Sequence, residues 1–132
     1  MTTLHAYLIF NGNCREAMTF YQTCLGGELT LETVKHSPMA NDWPEEAQQK
    51  ILHATLQKGP LMLLATDMVE AAGFFVGNNI CLSLICEDEE AITTYFDKLS
   101  QGGSIKYPLH HFYGGKLGGL VDQFGIHWML KL

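Results

Sequence analysis

Two stretches decide the fold when set side by side: Glu16-Ala17-Met18-Thr19-Phe20-Tyr21 and Glu90-Ala91-Ile92-Thr93-Thr94-Tyr95, 74 positions apart. Each opens an apolar stripe at helical spacing. The first runs through Ala17, Phe20, Tyr21, Cys24 and Leu25, the second through Ala91, Ile92, Tyr95, Phe96 and Leu99. Each ends at a glycine pair that stops a helix, Gly26-Gly27 and Gly102-Gly103. Near the module ends, Leu61-Met62-Leu63 corresponds to Trp128-Met129-Leu130 at an offset of 67. The offset shrinks because the first copy carries a long loop. Two amphipathic helices ending in Gly-Gly could coincide, but matching element order on both sides favours duplication. The repeat therefore predicts an α+β fold of two βαβββ modules. We expect module 1 at about 1–70 and module 2 at about 78–132, within a single domain over 1–132, and helices near 14–25 and 88–101.

Working outward, Tyr7-Leu8-Ile9-Phe10 is a β-rich run that meets the turn Asn11-Gly12-Asn13. Asn13 with Glu16 stands in capping-box register for the first helix. Leu29 to Val34 alternates as a strand, and His36 to Gln49 is irregular, with Pro38 and Pro44. Ile51 to Gln57 and Leu61 to Thr66 predict a hairpin closed at Lys58-Gly59-Pro60. In the second copy, Ile80 to Cys86 is a strand and Glu87-Asp88-Glu89-Glu90 places acid at a helix N-terminus, where the macrodipole favours it. Ile105 to Leu109 and Ile126 to Leu132 complete it. Glycines 114, 115, 118 and 119 surround a short strand and are expected to let strands bend tightly.

Composition excludes several classes. With 47% hydrophobic and 17% charged residues the chain can bury a core, which rules out intrinsic disorder. The net charge is −6 and no Lys/Arg cluster exists, so neither nucleic acid nor a membrane surface is an expected partner. The apolar runs at 59–65 and 71–77 fall short of the roughly 20 residues that span a bilayer. The start, Met1-Thr2-Thr3-Leu4-His5, lacks the basic flank and apolar run of a signal peptide, and a cytoplasmic protein is expected. Cys14, Cys24, Cys81 and Cys86 form no C-x-x-C pair and read as reduced core thiols. No phosphate loop, nucleophile elbow or Cys-His dyad can be read from the spacing.

The chain resembles the vicinal oxygen chelate superfamily of glyoxalase I, extradiol dioxygenases, fosfomycin resistance enzymes and bleomycin-binding proteins. The closer likeness is to its PhnB-like branch, also labelled demethylubiquinone methyltransferase-like. The resemblance is carried by Tyr7-Leu8-Ile9-Phe10-Asn11-Gly12-Asn13-Cys14, Glu16-Ala17-Met18, Phe20-Tyr21, Leu25-Gly26-Gly27-Glu28-Leu29, His53-Ala54 and Asp122-Gln123-Phe124-Gly125-Ile126-His127-Trp128. It implies that each module curls into half of a cup with a ligand inside, and that a homodimer forms. It also implies four metal positions, on the first and last strands of each module. These fall on His5, Asn79, Met62 and Met129. One imidazole, one amide and two thioethers suit a hard or borderline divalent ion poorly, so no cofactor is expected and His5 is the one good ligand retained. A methyltransferase needs a glycine-rich cofactor loop, and Asn11-Gly12-Asn13 is not one.

Strand alternation adds the remaining candidates. His5 with Tyr7, Asn79 with Cys81, and His127 with Met129 each share a face, as do His53 and Thr55. These would line an apolar pocket with a few polar groups, although His5 and His53 can equally be partly buried structural histidines. His110-His111 with Phe112-Tyr113 either covers the cup mouth or forms a solvated turn. The expected function is small-molecule binding in a sheet-lined cup. The alternatives are a metal-dependent glyoxalase- or dioxygenase-type enzyme and a protein that sequesters a bleomycin-type antibiotic.

Overall fold

The strand Ala6–Ile9 (β1) alternates between a buried and an open side, with Leu8 and Phe10 buried and Tyr7 and Ile9 exposed. That alternation organises the whole first unit. In a computed structural model describing residues 1–132, the chain divides into Met1–Phe75 and Val76–Leu132. The first unit adds helix α1 (Cys14–Leu25) and strands β2 (Glu28–Thr33), β3 (Ile51–Lys58) and β4 (Leu61–Thr66). Its sheet runs β1-β4-β3-β2, with β1 parallel to β4 and the other neighbours antiparallel. Helix α1 contributes Ala17, Met18, Tyr21 and Leu25 to a core that also holds Leu56, Leu63 and Ala65 from the sheet. Each large side chain so buried stabilises the fold by about 1.5–3 kcal/mol.

The second unit has the same plan. It contains β5 (Leu82–Ile85), α2 (Glu89–Ser100), β6 (Ser104–Phe112), β7 (Gly115–Val121) and β8 (His127–Lys131), in the sheet order β5-β8-β7-β6. Ile92, Phe96 and Leu99 of α2 and Leu120, Trp128 and Leu130 of the sheet form its core. The duplicated βαβββ order, both helices and the β3–β4 hairpin agree with the sequence expectation.

Several expectations are corrected. Asn13 makes no side-chain cap on α1. Its place is taken by Asp67, whose Oδ1 accepts from the backbone N–H groups of Gly12 at 3.1 Å and Cys14 at 2.9 Å. The Asp67 Oδ2 accepts from Ile51 N at 2.8 Å, so one buried carboxylate ties three segments together. Two glycines of β7 also serve packing. A Cβ at Gly118 would come within 2.7 Å of both Phe96 and Leu109, and one at Gly119 within 2.6 Å of the Tyr107 ring. Each glycine admits a side chain on its own side of the strand. The strand expected over Ile105–Leu109 runs on to Phe112, because His110, His111 and Phe112 pair with Leu117, Lys116 and Gly115. His110 and His111 are therefore strand residues, and the turn is Tyr113-Gly114.

Of the four cysteines, Cys14, Cys24 and Cys86 are buried and Cys81 is exposed, so only three are core thiols. Burial, with the charge of Asp67 adding and Arg15 opposing, pushes the Cys14 thiol up to about 12. Burial, with Asp88 and Glu87 adding, pushes Cys86 up to about 11. Both thiols stay protonated at neutral pH and are inert as nucleophiles.

Candidate functional site

Each sheet buries one face against its helix and turns the other outward. In the first unit the outward face is organised by register. Tyr7 pairs with Leu64, Leu64 with Thr55, and Thr55 with Thr30. The neighbouring rows carry Met62, Gln57 and Glu28 on one side, and His53 and Glu32 on the other. Extending the β1–β4 register one residue puts His5 beside Met62. The Tyr7 and His53 rings lie 6.3 Å apart at 48°, and Thr55 Oγ1 lies 3.3 Å from His53 Nε2. A phenol, an imidazole and a hydroxyl thus share one sheet face with the apolar side chains Leu64 and Met62. This arrangement can hydrogen-bond a polar group while an apolar body rests on the thioether and leucine. Tyr7 is 53% exposed, so the cluster is accessible.

The second unit's outward face carries Ser83, Met129, Gly119 and Tyr107 in its central row. One flanking row holds His127 and Val121, and the other Ile85, Lys131, Leu117 and His110. Lys106 joins the His127 row, with its Nζ 3.3 Å from His127 Nδ1. His110 Nδ1 lies 2.9 Å from the Pro108 carbonyl, which can only accept, so Nδ1 carries the proton and Nε2 is left as an acceptor. The His110 ring meets those of Tyr107 and Phe112 edge-on, at 6.3 Å and 6.4 Å. Phe112 stacks on Tyr113 at 4.5 Å at the hairpin tip.

The sequence candidates thus fall into separate groups. His5, Tyr7, His53 and Met62 belong to the first open face, and His127 and Met129 to the second. Asn79 and Cys81 both precede β5, which begins only at Leu82, and both are exposed. The helical offset places that strand too early. The residue paired with Met129 is Ser83, and it takes the place that the offset gives to Asn79. The four positions that the resemblance implies are then His5 and Met62 in the first unit and Ser83 and Met129 in the second, with a neutral hydroxyl replacing an amide in the donor set. That set does not fit a hard divalent ion. No three His, Cys, Asp or Glu side chains are grouped to hold one. Sequence reading missed Lys106 and Tyr107 as well as Ser83. Alternation puts Lys106 opposite Tyr107, and the bulge that overrides it has no marker in Ile105-Lys106-Tyr107.

Comparison with known proteins decides the family. The sequence model of the 3-demethylubiquinone-9 3-methyltransferase family matches residues 2–131. A structure described as a putative 3-demethylubiquinone-9 3-methyltransferase, PhnB protein, from Bacillus cereus is 27% identical. It superposes with a TM-score of 0.75 over 99% of both chains. The chain belongs to this PhnB-like family. Protein PA1353 from Pseudomonas aeruginosa is 33% identical to this PhnB-like chain, with a TM-score of 0.87 over 98% of this chain and 96% of that one. A glyoxalase/bleomycin resistance protein/dioxygenase superfamily member from Sphaerobacter thermophilus DSM 20745 is 18% identical. Its TM-score is 0.63 over 99% of this chain and 97% of that one, and it shows the fold alone. No helix of the PhnB-like chain is long and apolar enough to cross a membrane.

Proposed function

We propose that this PhnB-like protein is a cytoplasmic small-molecule binder whose ligand occupies a sheet-lined cup. The observation that carries the reading is the accessible Tyr7–His53–Thr55 cluster beside Met62 and Leu64. The His5, Met62, Ser83 and Met129 donor set argues against the metal-dependent glyoxalase or dioxygenase alternative. Neither mixed sheet provides a glycine-rich cofactor loop after a parallel strand, which argues against methyl transfer read from the family's description.

We also propose that the protein acts as a homodimer. Ile9 at 40% and Ile85 at 69% exposure are apolar residues on open sheet faces, and a second copy would bury such surface. Light scattering at micromolar concentration is expected to give twice the 14.7 kDa chain mass. A mass of one chain refutes the dimer.

The binding reading is tested by ligand-observed NMR against a metabolite and antibiotic library, repeated on Tyr7→Ala and His53→Ala. Hits that weaken in both variants support it. A library with no hit, or hits indifferent to both variants, overturns it.

A further inference from the structure

We propose that the open face of the second unit recognises a small organic anion. Its carboxylate or phosphate group accepts N–H donors of the hydrogen-bonded Lys106–His127 pair, and its body rests on Tyr107 and Met129. The inference rests on the open faces being ligand surfaces and adds the chemical class of the ligand.

The first support is a bulge. Ile105 pairs with Leu120 and Tyr107 with Gly119, so Lys106 is the unpaired extra residue of β6. Its ammonium reaches across β7 to His127 Nδ1 at 3.3 Å. An ammonium has only donors, so Nδ1 accepts and the neutral imidazole carries its proton on Nε2. The pair therefore offers N–H donors and no free acceptor. Bulges are a recurrent means of re-aiming a side chain into a site.

The second support is the charge of the face. The acidic residues of this unit lie in α2 or just before it, except Asp122. The Asp122 carboxylate is engaged by Phe124 N, Ile126 N and Trp128 Nε1. No acidic side chain shares the open face, while Lys131 does, one row beyond Met129. On a chain of net charge −6, this is a local positive field that attracts an oxyanion.

The third support is Gly119. It leaves room for the Tyr107 ring to lie over β7, where any Cβ would strike it at 2.6 Å. The ring and Met129 make an apolar floor between the two cationic rows. An oxyanion on a flat apolar body matches that pattern, and a cation does not.

The test is a titration of the isotope-labelled full chain, followed by backbone amide shifts. The probes are benzoate and phenyl phosphate, with benzyl alcohol and benzylamine as neutral and cationic controls. Both anions are expected to shift amides of β6 and β8 saturably, more tightly than either control. Lys106→Gln is expected to weaken them about tenfold and added salt to weaken them further, while Lys106→Arg retains binding. Lys106 is exposed, and the amide spectrum itself reports whether each variant is folded. Equal binding of benzyl alcohol at β6 and β8, or indifference to Lys106→Gln, overturns the anion class and leaves the ligand-surface reading standing. Shifts confined to the first unit, or no shift with any probe, also overturn it. The library screen on Tyr7→Ala and His53→Ala reports separately on the ligand-surface reading.

Discussion

The two units solve one problem in different ways. Each must satisfy the unpaired N–H groups at the start of its helix. The second unit does so locally: Asp88, the residue before α2, accepts from Ala91 N at 2.8 Å. The first reaches across the fold to Asp67, which follows its last strand and is 2% exposed. A local cap holds one helix end, whereas the remote carboxylate also fixes Ile51 at the start of β3. The open faces diverge as well, with Glu28 and Glu32 on the first and Lys106 and Lys131 on the second. Duplication kept the scaffold and let helix anchoring and surface chemistry drift apart.

The largest expected effect follows from the anchors. Asp67→Ala strands three backbone donors that a buried carboxylate now satisfies, and should cost about 3–5 kcal/mol. Asp88→Ala should cost only about 1 kcal/mol, the usual worth of an exposed N-cap. Urea midpoints of both variants test this. Equal losses would mean that the remote anchor is no stronger than the local one. Next comes Gly118→Ala, which drives a methyl into Phe96 and Leu109 and should cost about 1–3 kcal/mol by overpacking. The same change at Gly59, with open space around it, meets no neighbour and is penalised only by its φ of 56°. Urea unfolding that ranks Gly59→Ala as the worse variant would show that backbone conformation outweighs the packed ring.

These anchors also mark the limit of what the sequence discloses. Both helices, the glycine stops and the β3–β4 hairpin are legible because their causes lie within a few residues: an apolar period, a glycine pair, a tight turn. Asp67 is invisible as a cap because its partners lie 53 and 55 positions away. Lys106 reaches the His127 row only through a bulge, and Ser83 replaces Asn79 only once strand register is known. His110 and Phe112 stand beside glycines, where the sequence leaves a solvated turn and a cover for the cup mouth equally open, and pairing with β7 makes them strand. Alternation nevertheless put Tyr7, His53 and Thr55 within reach as candidates, since each strand face is a local property.

The buried thiols give a third contrast, seen in alkaline solution. Each unit keeps a protonated cysteine near its helix-anchoring carboxylate, Cys14 by Asp67 and Cys86 by Asp88. A thiol raised from 9.0 to about 12 holds its proton in the folded chain and releases it on unfolding once the pH passes 9.0. Stability therefore falls with rising pH from about 9 upward, by about 1.4 kcal/mol per pH unit for each such group. Removing Cys14 with alanine should remove one group's share of that slope, read as urea stability under reducing conditions either side of pH 9.0. The effect should persist higher for Cys14 than for Cys86, whose thiol is raised only to about 11. An unchanged slope in Cys14→Ala would show that the thiol is not held protonated.

The smallest effect concerns the hairpin tips. Where the first unit links β2 to β3 through a long loop, the second links β6 to β7 by Tyr113-Gly114 alone. Both turn residues have positive φ, 45° and 79°, the pattern of a tight turn that suits Asn-Gly far better than Tyr-Gly. Tyr113 is 97% exposed, so burial does not explain its place; its one visible gain is the edge-on stack with Phe112 at 4.5 Å. An exposed aromatic pair is worth about 0.5–1.5 kcal/mol at most. Left-handed backbone at a bulky residue costs about 1–2 kcal/mol. Tyr113→Asn should then raise stability by about 0.5–1 kcal/mol, seen as a higher urea midpoint with an unchanged slope. A lower midpoint would mean that the Phe112 stack outweighs the backbone strain, and that the aromatic tip is held for the face it borders.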